Sequence, residues 1–445
     1  EIISVKQLEK NDARTYVEHV MNLFYDKNRL KPYREHLIAK SKDDYPRRIA
    51  IPYWKDKFYI KLVHLVFQAK YLELSDKSRL LLPQVAIKNA IQALCNDKAG
   101  WVYKVDISKC YDAIDHVKLF SLLTTMKFDK TLIKNIKKII TNPIGTDGIT
   151  SKGVPQGVAV SNLLAHIYLS EIDDYFLNSD QSDYIRYVDD ILLVGLSDIS
   201  NIEDNIEDLK KQVKGLRLTL NEKKIIRKDD KFNLTKEDPL TFLGYKLYFK
   251  NEKLVVSCSS ATVERMKRRI REELFYLSEG KFDGKANTVK RAIFYLNMLI
   301  TGTIVSDSID EKKEKRYGWL FYYSQTNDLG LLYFLDRYVE RQVKKVIESF
   351  KGLDYELIKG YSKILSTKKS FVKAYREIRY NYKESTYLFR PAKWTDDEIR
   401  DYLTSVQGIP DYKLESKDIQ KEFRESIFRK AKQEYRDLIE VYISK

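Results

Sequence analysis

Cysteine is scarce in this chain: Cys95, Cys110 and Cys258 are the three in 445 residues. They are far apart, odd in number, and form no Cys-x-x-Cys pair. Neither a disulfide framework nor a zinc site is expected, and a reducing compartment suits them. Histidine is also sparse, with five residues and no His-Glu-x-x-His spacing, so that zinc-hydrolase pattern is excluded. His116 and His166 read as structural. No apolar run approaches the roughly 20 residues of a membrane-spanning helix, and no signal-peptide pattern is visible. Internal repeats are likewise missing. The chain begins at Glu1 without Met, which leaves room for a preceding stretch.

Acidic charge is in deficit. Lys and Arg number 80 against 64 Asp and Glu, a net +16. The excess is spread over both halves rather than held in a tail. It suggests a polyanionic partner, with nucleic acid the first expectation. The 32 Tyr and 19 Phe offer surfaces on which bases could stack, although most are expected in the core. A hydrophobic content of 43% excludes a largely disordered protein. The length exceeds what one core supports and predicts two or three domains.

The most telling segment is Tyr187-Val188-Asp189-Asp190. Apolar, β-branched and aromatic runs flank the two aspartates, which predicts two strands with carboxylates at the turn. Asp106 closes a similar run, Trp101-Val102-Tyr103-Lys104-Val105. Carboxylates at strand ends need compensating cations, and three of them suit a hard ion such as Mg²⁺. Taken alone, Asp189-Asp190 is equally well read as an Asp-rich hairpin turn.

Along the chain, residues 1–45 read as helical and polar, punctuated at Lys31-Pro32 and Tyr45-Pro46. Arg47 to Pro52 reads as a short basic strand. Helical periodicity spans 58–74, 85–94, 116–126, 129–140, 158–177 and 201–214. Pro143, Gly145, Gly148, Gly153, Pro155 and Gly157 mark an irregular loop. Strand-like pieces follow near 216–220, 241–249 and 253–257. From about residue 258 the pattern is almost wholly helical, with breaks at Pro391 and Gly408-Ile409-Pro410. Phe371 to Tyr380 reads as an amphipathic helix, with RNA or single-stranded product as its other use.

Five short signals occur in one order: Asp106-Ile107-Ser108-Lys109-Cys110-Tyr111-Asp112, Gly153-Val154-Pro155-Gln156-Gly157, Tyr187-Val188-Asp189-Asp190, Leu220-Asn221-Glu222-Lys223-Lys224 and Phe242-Leu243-Gly244-Tyr245. The series resembles the palm motifs of reverse transcriptases, over roughly residues 45–250. The resemblance implies two-metal phosphoryl transfer, in which two ions about 3.5–4 Å apart stabilise the attacking and leaving oxygens. Asp106 and Asp189 would hold both ions and Asp190 would assist. Two Mg²⁺ are implied, with Mn²⁺ as a substitute. Tyr111 would lie under the sugar and exclude a 2′-hydroxyl. Gln156 would sit over the incoming nucleotide. Lys224 would lie near the leaving pyrophosphate as an acid, with Lys223 the neighbouring alternative. Arg47 and Arg48, in a segment resembling the fingers motif, could hold the triphosphate or simply lie on the surface.

The segment 153–169 carries Ser161-Asn162 where intron and retron enzymes usually have Ser-Pro. This pattern is similar to bacterial defence-associated and abortive-infection reverse transcriptases. The retron Asn-Ala-x-x-His pattern is missing at Asn89-Ala90, and no zinc or HNH-type endonuclease spacing accompanies the palm motifs. The implied fold is an α+β right-hand polymerase of fingers, palm and thumb followed by an α-helical C-terminal region. Its expected divisions are an N-terminal helical segment at 1–30, fingers and palm at 30–257, a helical thumb at 258–345 and a helical extension at 346–445. The implied function is RNA-directed DNA synthesis from dNTPs in anti-phage defence, in the bacterial cytoplasm, with no membrane partner. Expected partners are a template RNA, dedicated and noncoding, and a DNA product. Untemplated or protein-primed synthesis, a non-catalytic RNA-binding scaffold and homo-oligomerisation remain alternatives.

Overall fold

The structure is a computed structural model and describes residues 10–38, 46–74, 83–145, 147–148, 150–179, 182–196, 201–278, 285–306, 314–350, 352–414 and 419–443. Expectations for residues 1–9 and for Tyr45 lie outside these. The chain divides into two compact units, Glu1–Leu234 and Thr235–Lys445. The boundary groups the strands after residue 240 with the helices that follow them.

The first unit runs α1 (Lys10–Phe24), β1 (Arg34–Ile38), β2 (Arg47–Ile51), α2 (Asp56–Leu74), α3 (Pro83–Cys95), β3 (Ala99–Asp106), α4 (Cys110–Ala113), α5 (His116–Thr125), α6 (Lys130–Ile140), α7 (Ser161–Tyr168), α8 (Ser170–Leu177), β4 (Ser182–Tyr187), β5 (Asp190–Leu196), α9 (Ile202–Gly215) and β6 (Ile226–Lys228). Its main sheet is antiparallel in the order β4-β5-β3-β6. Ile191, Leu192, Leu193 and Val194 of β5 are fully buried. That explains why β5 reads as a continuous apolar run rather than an alternating one. Each such side chain contributes about 1.5–3 kcal/mol by burial. Helices α3, α8 and α9 pack on the sheet. Gly195 lets β5 pass beneath the Trp101 indole: a Cβ there would fall 1.8 Å from the ring.

The helices follow their sequence signals. In α6, Leu132, Ile136, Ile139 and Ile140 share the buried face, at the spacing a helix requires. Asp129 caps it by accepting from Thr131 N at 2.7 Å, satisfying an otherwise unpaired terminal donor. Asp115 and Asn201 cap α5 and α9 in the same way.

The second unit opens with a three-stranded antiparallel sheet of β7 (Leu240–Phe242), β8 (Tyr245–Lys250) and β9 (Lys253–Cys258). Helices α10 (Ser260–Ser278) and α11 (Ala286–Thr301) follow, then β10 (Thr303–Ser306), β11 (Glu314–Tyr317), α12 (Trp319–Tyr322), α13 (Leu329–Ser349), α14 (Tyr355–Leu365), α15 (Phe371–Tyr380), α16 (Asp396–Asp401) and α17 (Ile419–Ile443). Leu243 and Gly244, at φ 49° and 78°, make the two-residue β7–β8 turn. Positive φ at both positions matches the right-handed twist of the strands. The architecture is thus mixed α+β with a helical C-terminal region, as expected.

Three local expectations are corrected. Arg34–Ile38, expected helical, pairs with β2 residue for residue; strand pairing satisfies its backbone where no apolar face was present to anchor a helix. Residues 216–220 form no strand: Leu220 makes a single bridge to Ile107, and the ladder resumes at β6. The region after residue 258 is not purely helical, because β10 and β11 pair across it. Those strands are too short to show a period in sequence.

Candidate active site

The carboxylates meet through strand register. Asp106 ends β3 directly opposite Asp190, which begins β5, and Tyr187 of β4 also pairs with Asp190. Val188 and Asp189 form the intervening turn. The backbone fixes Asp189 further, since Ile107 N donates to its carbonyl at 2.9 Å. Asn221 N donates to the Asp106 carbonyl at 2.8 Å, which brings up the short helical turn Glu222–Lys224. Lys224 Nζ then reaches Asp106 Oδ2 at 2.6 Å. Lys223 is exposed.

Lys104 is the residue the sequence reading missed. It sits on β3 two residues before Asp106, so both side chains fall on one face of the sheet. It is buried, with Nζ 2.7 Å from Asp190 Oδ1 and 3.5 Å from Asp106 Oδ1. A lysine in the middle of an apolar strand is itself the signal, because such a cation must find an anion.

The electrostatics reflect crowded negative charge. Burial and then the neighbouring Asp106 raise the Asp189 carboxyl to about 6. Burial also raises Asp190, against the pull of Lys104. Burial opposes ionisation of Asp106 as well, yet a hydrogen bond with Asp190 and the charges of Lys104 and Lys224 keep it below the usual carboxylate range. Among the described residues, no three His, Cys, Asp or Glu side chains converge as a ready metal cage. Asp106 and Asp190 are turned onto the two lysines instead. The donor set nevertheless offers only hard carboxylate oxygens, the chemistry Mg²⁺ and Mn²⁺ prefer.

Around this centre lie the other expected residues. Tyr111 is buried on α4, and its hydroxyl donates to Asn162 Oδ1 at 2.9 Å. Burial, with the Asp189 charge next, raises that hydroxyl well above its ordinary value. The glycine-rich loop is stitched to both sides: Val154 N donates to the Tyr111 carbonyl at 2.8 Å, and Ala50 N of β2 donates to the Gln156 carbonyl at 2.7 Å. Gly157, at φ 92°, allows this approach, since a Cβ would lie 2.6 Å from the Ile49 side chain and 2.9 Å from the Ala50 carbonyl. Gln156 Oε1 is buried with no hydrogen-bond partner among the described residues.

The two arginines diverge. Arg47 is half-buried, and although burial is the largest influence on its guanidinium, the charge of Asp189 acts on it. Arg48 faces the other way along the strand. It is held by Glu35 at 2.6 Å, by Asp147 and by the Ile144 carbonyl at 3.1 Å. His116 and His166 are structural, as expected: His116 Nε2 bonds the Gly153 carbonyl at 2.6 Å, and His166 lies between Tyr71 and Arg186.

Residues 38–247 match the family described as Reverse transcriptase (RNA-dependent DNA polymerase). The group II intron-encoded protein LtrA of Lactococcus lactis is 31% identical over 153 residues, covering 33% of this chain and 26% of that protein. Protein YkfC of Escherichia coli is 25% identical over 288 residues, covering 54% of this chain and 72% of that one. A telomerase structure from Candida albicans, in complex with a fragment of telomeric RNA, aligns with 83% of this chain and 68% of its own at 14% identity and a TM-score of 0.43. The chain thus spans about a quarter of the length of the intron-encoded relative. Residues 38–247, which hold the strand-end aspartates and the loop stitched to Tyr111, are thus the part of the chain that is similar to the reverse transcriptase family.

Proposed function

We propose that the chain is an RNA-directed DNA polymerase whose carboxylates Asp106, Asp189 and Asp190 hold two Mg²⁺ ions, with Mn²⁺ as a substitute. The observation that carries this reading is the register of Asp106 against Asp190, with Asp189 at the turn. Bound ions would supply charge stabilisation for the attacking and leaving oxygens of an in-line displacement. The chain's own groups do the rest. Tyr111 bounds the space under the deoxyribose and excludes a 2′-hydroxyl. Gln156, whose buried amide oxygen lacks a partner among the described residues, contacts the incoming dNTP. Arg47 binds the triphosphate, and Lys224 protonates the pyrophosphate as it leaves. Arg48 contributes through the loop it holds.

Fingers and palm occupy 30–257, a helical thumb 258–345 and a helical extension 346–445. The positive charge and the helical mass beyond a thumb support a dedicated noncoding RNA template. The Ser161-Asn162 signature supports a role in bacterial anti-phage defence. The test is incubation of the purified chain and its co-purifying RNA with labelled dNTPs and Mg²⁺. Incorporation is expected, with one dominant small RNA on sequencing. A folded parent that incorporates nothing would leave a nucleic-acid scaffold on a polymerase fold. Random RNA with a large nuclease-resistant assembly would defeat the dedicated template and favour an oligomer. Label attached covalently to the chain would indicate protein priming.

A further inference from the structure

The turn that carries Asp189 and Asp190 begins on a strained residue. Val188 has φ 56°, a left-handed conformation in which a β-branched side chain crowds its own backbone. Glycine or asparagine ordinarily takes such a position. Val188 therefore needs an external hold, and its carbonyl accepts from Arg186 Nη1 at 2.9 Å.

Arg186 is 1% exposed. Its Nε and Nη2 form a fork on Asp173 at 2.6 and 2.5 Å. Nη2 also donates to His166 Nδ1 at 3.1 Å. A guanidinium only donates, so His166 Nδ1 is the acceptor and its Nε2 carries the hydrogen. That hydrogen goes to the Tyr71 hydroxyl at 2.8 Å. Tyr184 donates to Asp173 at 2.8 Å. Side chains from α2, α7, α8 and β4 thus lock one guanidinium from behind, and Nη1 meets the turn.

A fully buried ion pair is weak evidence for stability, because desolvation offsets most of the attraction. One placed directly behind a strained turn points to geometry instead. We propose that Arg186, locked by Asp173, is a positioning residue: it keeps Val188 left-handed and so sets the aim of the Asp189 and Asp190 carboxylates. The proposal rests on reading that turn as a metal-holding site, and it makes no use of the Arg186 charge on substrate.

The test uses the full chain, with Mn²⁺ binding followed by electron paramagnetic resonance alongside DNA synthesis. Arg186→Met combined with Asp173→Asn removes both charges together, leaving no buried ion without a partner. The folded pair should bind Mn²⁺ about tenfold more weakly, a readout that general loss of packing elsewhere would not move. Adding Val188→Gly should recover much of that loss, because glycine adopts positive φ without the arginine. Should the neutral pair fail to fold, Arg186→Lys keeps the charge against Asp173 but lacks the fork that spans Asp173 and the turn. It should show the same loss and the same rescue. A folded variant that binds Mn²⁺ as the parent does, or a loss that Val188→Gly leaves untouched, overturns the positioning role. A parent that binds no Mn²⁺ overturns the underlying metal-site reading instead.

Discussion

Asp189→Asn should abolish DNA synthesis and yet make the metal-free protein more stable. Burial and the Asp106 charge raise the Asp189 carboxyl from 3.8 to about 6. Each tenfold change in proton affinity corresponds to about 1.4 kcal/mol, so ionising this group inside the fold costs about 2–3 kcal/mol once its partial exposure is allowed for. The sign follows from the direction of the shift. Below the unfolded value near 3.8 the group is protonated in both states and the cost vanishes. It grows through the window and is complete above about pH 6. Asparagine has the same shape and no charge, so the variant escapes the cost. In EDTA at pH 7.5 its melting temperature should exceed the parent's by about 5–10 °C, at 2–4 °C per kcal/mol for a unit of this size. The gap should shrink as pH is lowered toward 5. Mg²⁺ at about a hundred times its dissociation constant should stabilise the parent by about 2.7 kcal/mol and close the gap. Scanning calorimetry at pH 5, 6 and 7.5, with EDTA or Mg²⁺, measures all of this. A variant no more stable than the parent at pH 7.5 in EDTA, or a gap unchanged by pH, would refute the reasoning.

Tyr111→Val should admit ribonucleotides far better than the parent in single-nucleotide incorporation assays, and unchanged sugar discrimination would make Tyr111 a core residue only. Asn162→Ala, which removes the acceptor for the Tyr111 hydroxyl, should relax the same discrimination by about tenfold at most, the worth of one hydrogen bond. Gly157→Ala should destabilise by about 1–3 kcal/mol from strain at positive φ and collision with β2, and should raise the dNTP KM by loosening Gln156. RNA affinity measured by filter binding should fall steeply between 50 and 200 mM salt, as expected for a +16 chain that releases counterions on binding.

What could be read in advance depended on where each signal lies. Asp106 and Asp189-Asp190 announce themselves because acidic residues are out of place at the ends of apolar strands. The helices at 116–126 and 129–140 show their period and their caps locally. Arg186 was legible only as a charge within a strand; its partner Asp173 lies 13 residues away on a helix, and no pattern links them. The role of Lys104 is hidden within a strand-like run, because the nearer of the anions it meets, Asp190, comes from a different strand. Strand β2 was legible as a short basic strand, whereas its partner β1 and the β10–β11 hairpin were not, because strands of four or five residues are too short to show a period of their own.

The measurement that bears most directly on the account is primer extension on a defined RNA template by the purified parent and by Asp106→Asn, both shown to be folded. The account predicts divalent-ion-dependent DNA complementary to the template from the parent, and none above background from the variant. Template-directed synthesis by Asp106→Asn at the parent's rate, or none from a folded parent supplied with RNA, primer, dNTPs and Mg²⁺, would contradict it.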